Sequence, residues 1–370
     1  PLVGARCRPV VDARVIERAK RLAQEIAAVN SILGAYLTRI VLLSTAMVMI
    51  VLLALAGLFE FIAELEDIKN DYQAPQAIMF AALRLPILAF ELMPVSILIG
   101  SLLGLGGIAA NSEIIVMRAA GMSIRKLAGL VAVPGVILMV VTGLLGEFIG
   151  PPLDFYARNM RVEARLGQDD DRLGNETWVK DGSVFLHLER VNSEFEFGTV
   201  YLYRFDAGNR LESIALADNS GLNDDDSWRL ENLRETRFYD DRVQVSEVDQ
   251  TTERFEINAE LLGSGLAKPL SLSLRGLLSY IDYLERNELD ASQYETEFWY
   301  RISRTVTVGL MPVLALAFVF GSLRSGGAGG RLMIGVGIGL GYYLASEMLA
   351  NSGQVFDLNP ATISWLPTVA

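Results

Sequence analysis

The sequence predicts a membrane α-helical bundle of six spans, the last of them incomplete, with an all-β domain inserted after the third. Three observations predict it. Charge segregates along the 370 residues: 31 acidic and 16 basic side chains fall between Gly150 and Tyr300, a balance of −15, while the rest carries +3 toward the formal net charge of −12. Since 51% of the chain is hydrophobic, that charge marks one soluble insert in an apolar remainder, not a uniform soluble protein. The remainder contains runs of membrane-spanning length, and the insert switches to period-two alternation.

Residues 40–62 have Glu60 as their only charge. At about 1.5 Å per residue such a run covers a hydrocarbon core of ~30 Å. Residues 86–110, 127–149, 302–323 and 332–350 repeat the pattern. A sixth run, 361–370, is expected to be the truncated start of a last helix, and Pro1 in place of Met suggests a fragment or processed chain.

Basic loops set the orientation. Arg118, Arg125 and Lys126 lie between the second and third spans, Arg324 and Arg331 between the fourth and fifth, and seven Lys and Arg residues precede residue 40. These sides are expected in the cytoplasm, which puts the loop 63–85 and the acidic insert outside. In residues 11–29 apolar side chains recur near helical spacing with Arg14, Arg18 and Arg21 on other faces, so the segment reads either as a helix on the inner membrane surface or as a poorly ordered basic tail.

In the insert, residues 178–180 and 184–191 read as a hairpin with a type I′ Asp181-Gly182 turn. Further strands are expected over 199–205, 211–217, 228–233, 237–239, 243–248 and 251–257, a spacing that indicates an antiparallel sandwich or barrel. Residues 272–288 carry Leu274, Leu277, Leu278, Ile281 and Leu284 on one side of a helix, and Asp290 or Ser292 is placed to cap the next. The expected domains are a basic segment 1–30, spans 31–150, a β domain 151–270, a helical connection 271–300 and spans 301–370.

No nucleotide-binding, metalloprotease or serine-hydrolase motif occurs, and with one cysteine, Cys7, and one histidine, His187, neither a disulfide framework nor a multi-histidine or thiolate metal site is possible within the chain. His187 reads as an ordinary strand residue. The absence of a basic stripe argues against nucleic acid. No catalytic residue, metal or cofactor is expected, so energy for any transport comes from an ion gradient or a separate ATPase.

Candidate interaction residues cluster in three places. In 109–126, Asn111 is expected as N-cap, Glu113 sits in the first turn, Arg118 is near the end and Gly121 terminates the helix. Such a helix offers Ile114, Ile115 and Met117 to a partner's groove or is a plain connection. Gly100 and Gly104, and the interleaved pairs Gly335/Gly339 and Gly337/Gly341, are spaced for close helix approach. Glu60, Glu91, Glu147 and Glu347 fall near the outer ends of spans, where Arg84, Arg158, Arg161, Arg301 and Arg304 are candidate partners; a water-exposed ring is the alternative.

The strings LLGLGGIAANSEIIVMRAAGMS (102–123), GEFIGPPLDFYARNMR (146–161), WVKDGSVFLHLERV (178–191) and FGSLRS (320–325) resemble the LptF/LptG family of lipopolysaccharide export permeases, and the likeness runs over 31–370. The resemblance implies a non-enzymatic inner-membrane subunit with a periplasmic β-jellyroll. Its partners would be LptF, a dimer of the ATPase LptB, and LptC, and it would pass lipopolysaccharide to a periplasmic bridge. Residues 112–120 would be the coupling helix, with Asn111, Ser112, Glu113, Ile114, Met117 and Arg118 toward the ATPase. Glu113 matches the acidic residue that contacts it. Arg158 and Arg161 match residues that meet lipid A phosphates, with Arg84, Arg301, Arg304 and Glu60 completing the expected lipid-facing set. Gly335, Gly337, Gly339 and Gly341 would serve a sliding gate helix.

One departure limits that transfer. Glu60 and Ile87 stand where relatives carry lysines, so a phosphate-binding lysine role does not carry over; Glu60 is expected to pair with Arg84 or to hold a bridging divalent cation. A gradient-driven secondary transporter and a membrane-anchored assembly protein remain the alternatives, the first lacking midplane ionisable groups and clear repeated halves, the second having more spans than anchoring needs.

Overall fold

The structure is a computed structural model that describes residues 13–66, 72–166, 177–188, 197–223, 225, 227–255, 269–320, 328–355 and 358–369. Helix α1 (Ala13–Leu65) is followed by α2 (Ala74–Ala110), the short α3 (Glu113–Ala119), and α4 (Ile124–Leu144), which passes through a π-helical turn (Leu145–Ile149) into α5 (Gly150–Leu166). Strands β1 (Thr177–Asp181), β2 (Val184–Leu188), β3 (Val200–Phe205), β4 (Leu211–Leu222), β5 (Trp228–Phe238) and β6 (Val243–Glu253) come next. Helices α6 (Leu274–Arg286), α7 (Ser292–Phe320), α8 (Ala328–Val355) and α9 (Pro360–Val369) complete the described elements.

Among the described residues five helical stretches are long and apolar enough to cross a membrane: Ile32–Leu65, Ala74–Ala110, Ile124–Arg161, Ser292–Phe320 and Met333–Ala350. They contain most or all of the five expected runs and extend most of them. From Ala13 onward the basic segment is helical and continuous with α1. In α2 67% of the apolar window is buried, against 17% in α1, so α2 is a packing centre while α1 presents Leu43, Met47, Ile50 and Leu55 outward.

The described residues fall into two compact units. The first comprises those within Pro1–Met49, Pro94–Met139 and Val308–Gly339. Here α1 lies directly on α2: a Cβ added to Gly100 would stand 2.5 Å from Thr45 Cα, closer than any side chain tolerates. This is the close approach that the glycine spacing anticipates.

The second unit comprises Ile50–Met93, Val140–Thr307 and Leu340–Ala370. Its strands pair antiparallel in sequence order, β1 through β6. The β1–β2 turn places Gly182 and Ser183 between the paired Asp181 and Val184. Only Gly182 takes positive φ, +57°, so the turn follows the type II′ pattern instead of type I′. The expected strands 228–233 and 237–239 form one strand ending at Phe238, as do 243–248 and the first three residues of 251–257. Within β5, Asn232 adopts φ 51° and the register against β4 shifts, a bulge that breaks the alternation without ending the strand.

The sheet curls enough for Arg204 on β3 to reach Glu253 at the end of β6, 2.6 Å away, and Glu235 on β5, 2.9 Å away. One face of the sheet buries Leu186, Leu202 and Trp228 against Tyr283 and Leu284 of α6. Helix α6 is held at both ends. Ser273 Oγ accepts from the Gly276 amide at 3.1 Å, and the Glu147 carboxylate accepts from the Leu274 amide at 2.7 Å, two of the orphan donors of a helix start. Near the other end the Tyr283 hydroxyl donates to the Lys180 carbonyl at 2.7 Å. The Asp290 carboxylate accepts from the Ser292 amide at 2.9 Å where α7 begins, as expected.

Candidate functional site

In the first unit α2 stops at Ala110, and a two-residue turn leads into α3. The N-cap is Ser112, in the left-handed region at φ 63° and with no side-chain cap bond, so Asn111 does not take that role. Glu113 in the first turn accepts a hydrogen bond at its Oε2 from the Tyr36 hydroxyl of α1 at 2.7 Å. Ile114 is buried, whereas Ile115 and Val116 are 47% and 66% exposed, so the outward apolar pair is Ile115 and Val116, and Met117 is half-buried. The Arg118 guanidinium stands 5.9 Å from the Phe320 ring centre at the end of α7.

Gly121 ends the helix as expected. At φ 88° it allows the Met122 amide to reach the Met117 carbonyl at 3.2 Å and its own amide to reach Arg118 at 3.0 Å, the paired bonds of a Schellman cap. A cavity of about 390 Å³ opens beside α3, lined by Ala109, Ile114, Ile115, Arg118 and Phe320.

The glycines of α8 separate by face. A Cβ on Gly335 would come 2.9 Å from Leu102, and one on Gly339 2.9 Å from Val95, both on α2. One on Gly337 or Gly341 would meet no described atom within 4 Å.

In the second unit three carboxylates and three guanidiniums interlock. Arg84 of α2 pairs with Glu60 of α1 through Nη1 and with Asp154 of α5 through Nε, the latter at 2.8 Å. Arg158, one turn beyond Asp154, donates Nε to its other oxygen at 2.7 Å, and the Ser271 hydroxyl donates to that oxygen too. Arg161 reaches Glu64 at 3.1 Å, and the Tyr72 hydroxyl donates to the second Glu64 oxygen at 2.8 Å. The Phe80 ring lies between, 5.6 Å from Arg84 and 5.2 Å from Arg161. The Asp154 side chain has no exposure, while the three arginines keep 16–25% of theirs, so each guanidinium is aimed by a carboxylate yet still reachable from one side.

Arg301 and Arg304 lie in a different setting, 2% and 4% exposed. Arg301 pairs with Glu297 at 3.0 Å and donates to the carbonyls of Gly146 and Leu270. Arg304 donates to the Tyr300 hydroxyl at 2.6 Å and stands 5.5 Å from the Phe90 ring centre. Beside it a cavity of about 280 Å³ is lined by Glu91, Glu297, Tyr300, Tyr343 and Glu347. The four span glutamates therefore part company: Glu60 is ion-paired, Glu147 caps α6, and Glu91 and Glu347 line this cavity. Among the described residues no group of three or more His, Cys, Asp or Glu is placed to hold a metal ion.

Sequence reasoning missed Asp154, Glu64, Tyr72, Ser271 and Tyr36. The i, i+4 spacing of Glu60 with Glu64, and of Asp154 with Arg158, was the available signal for two of them.

Comparison with known proteins agrees with these features. A family model described as lipopolysaccharide export system permease LptF/LptG matches residues 35–370. The chain is 30% identical over 328 residues to the lipopolysaccharide export system permease protein LptG of Haemophilus influenzae, covering 88% of this chain and 92% of that one. It is 29% identical to LptG of Escherichia coli K12 over 342 residues, 92% of this chain and 95% of that one. Similarity to LptF of Escherichia coli K12 is 27% over 158 residues, 42% of this chain and 43% of that one. The family match spans both the membrane helices and the inserted sheet, and the chain belongs to the LptF/LptG family of lipopolysaccharide export system permeases.

Proposed function

We propose that this chain is the transmembrane subunit of an ATP-driven exporter that takes lipopolysaccharide from the inner membrane and delivers it to a periplasmic protein bridge. The observation that carries this is the family match over residues 35–370, which includes helices and sheet alike. The chain has no nucleotide-binding motif, so hydrolysis belongs to a partner, read here as a dimer of LptB. LptF is the second permease and LptC the next component toward the bridge. The N-terminus and α3 lie in the cytoplasm and the β domain in the periplasm, a reading supported by the basic loops.

Helix α3 is the coupling element, with Asn111, Ser112, Glu113, Ile114, Met117 and Arg118 at or beside the ATPase contact. Its support is a short helix rigidly terminated by Gly121 and bearing an exposed apolar pair, a shape that fits a groove. Arg158, Arg161 and Arg84 are the residues that meet lipid phosphates. A planar guanidinium gives a phosphate two parallel donors, and an arriving phosphate takes the place of a carboxylate partner with no loss of charge balance around the arginine. The Glu60–Arg84 pair favours pairing over cation bridging for Glu60. The faces of Gly337 and Gly341 serve the moving gate.

Co-purification tests the assignment. The chain is expected to isolate with LptB and LptF, and depletion is expected to halt lipopolysaccharide export; a monomer that leaves LptB's hydrolysis rate unaltered, with normal export after depletion, overturns it.

A further inference from the structure

We infer that Tyr36 is a positioning residue that ties the first span to the coupling helix, so that force applied to Glu113 by the ATPase is transmitted to α1 through one hydrogen bond. The inference rests on the function proposed above and extends it to a residue outside the ATPase-contacting and lipid-facing sets.

The covalent path from α3 leads only into α2 and α4. Beside the indirect route through α2, on which α1 packs, the Tyr36 hydroxyl makes a direct contact, 2.7 Å from Glu113 Oε2 across 77 residues of sequence. The bond is charge-assisted, which makes it stronger than a neutral one. Its α1 end is firmly seated. Leu37 and Val41 are fully buried, and the Ile40 and Ser44 side chains fill the space over Gly104 of α2. Tyr36 itself stays 40% exposed, so its ring contributes little to the core and its hydroxyl is the part that is committed. Toward α7, α3 has the Arg118–Phe320 contact, and Ile114 is buried beneath it. The Tyr36 bond is therefore a directional tether, and one that competes with any cation the ATPase offers to the same carboxylate.

The bond also gives Glu113 a fixed aim. A glutamate has three side-chain torsions, and a hydroxyl holding one oxygen restricts them while the other oxygen keeps its capacity to accept from a partner. Engagement by the ATPase then moves α1 with α3 for as long as the bond is kept.

The test uses the full complex with LptB and LptF in vesicles loaded with lipopolysaccharide, and measures lipid released and ATP hydrolysed in the same sample. Tyr36→Phe removes only the hydroxyl. Complex yield and melting temperature are expected to stay at wild-type values and hydrolysis to continue, while lipid released per ATP falls roughly tenfold or more, the scale set by loss of a hydrogen bond to a charged group. Glu113→Gln keeps an acceptor for Tyr36 and is expected to lower release per ATP less than Glu113→Ala, with Tyr36→Phe adding little to Glu113→Ala. An unchanged ratio for Tyr36→Phe overturns the inference, and so does a fall in yield, stability and hydrolysis together, which marks a merely structural residue. If the unmodified chain forms no complex with LptB, the proposed function fails and this inference with it; a complex with an unchanged ratio sinks the inference alone.

Discussion

Arg84 and Asp154 are joined at 2.8 Å from Nε to Oδ1, which ties α2 to α5 through a carboxylate that no solvent reaches. The same carboxylate also serves Arg158 and Ser271. Asp154→Ala removes the shared acceptor, leaving Arg158 without a carboxylate and Arg84 with Glu60 alone in a partly buried site. Breaking a buried pair from one side costs about 3–5 kcal/mol. The purified variant is expected to melt well below the wild type in detergent, with Ser271→Ala far milder. Melting within a degree of wild type refutes the hub role.

Glycine substitutions separate packed from open faces. Gly100→Ala sets a methyl 2.5 Å from the Thr45 backbone, which cannot rotate away as a side chain would. Overpacking of this kind costs about 1–3 kcal/mol. Gly337→Ala meets no described atom within 4 Å and is expected to be neutral or to stabilise by up to ~1 kcal/mol through helix propensity. Any loss of export in Gly337→Ala with normal melting then reports on a neighbour outside the described residues. Equal destabilisation by both variants contradicts the assignment of faces.

The β domain carries a pH signature. Burial pushes Glu235 up, but the Ser213 hydroxyl with Arg204 and Arg237 outweighs it and holds the carboxyl below its ordinary range. The Arg210 amide, against a smaller burial effect, holds Asp206 down as well. With folded values depressed, the stabilisation is complete above the unfolded value of ~4 and is lost as pH falls through the folded values. At the alkaline end burial, then the neighbouring Tyr294 and Tyr283, raise Tyr280, and burial raises Tyr283 despite its bond to Lys180. Raised tyrosines stabilise below the unfolded value of ~10, and that gain is lost as pH climbs through the folded value. Melting temperature should therefore drop below about pH 4 and above about pH 10. Glu235→Gln should flatten the acid limb, and an acid limb of unchanged slope rules out Glu235 as its source.

The five spans were legible because a bilayer demands long apolar runs, and nothing in the sequence competes with that signal. Strand limits were less so: the polar run Arg234-Glu235-Thr236 reads as a gap between two strands, yet β5 continues through it, paired on both sides. The π-helical turn at Leu145–Ile149 has no local signature either. Within the charged cluster the Glu60–Arg84 pair was one of two anticipated roles for Glu60. The hub at Asp154 was not, since its partners Arg84 and Ser271 lie 70 and 117 residues away and local sequence carries no trace of them. The Tyr36–Glu113 bond escaped for the same reason.

The five arginines expected to face lipid divide by environment, and that division is testable. Arg301 points its donors at Glu297 and at two backbone carbonyls with 2% exposure, so Arg301→Ala leaves those acceptors unpaired. A loss of this kind is expected to cost about 3–5 kcal/mol and to lower expression and melting temperature before any effect on lipid can be read. Arg158 and Arg161 keep 22% and 25% of their side chains exposed, and their acidic partners remain held by Ser271 and Arg84 or by Tyr72 when either is removed. The double variant Arg158→Gln with Arg161→Gln is therefore expected to fold and to assemble, yet to crosslink lipopolysaccharide several-fold less, with the deficit shrinking as salt rises because the lost interaction is ionic. Dephosphorylated lipid should crosslink equally to variant and wild type. A variant that loses both lipids alike has lost something other than a phosphate contact, and the assignment of these two arginines to phosphate would fall.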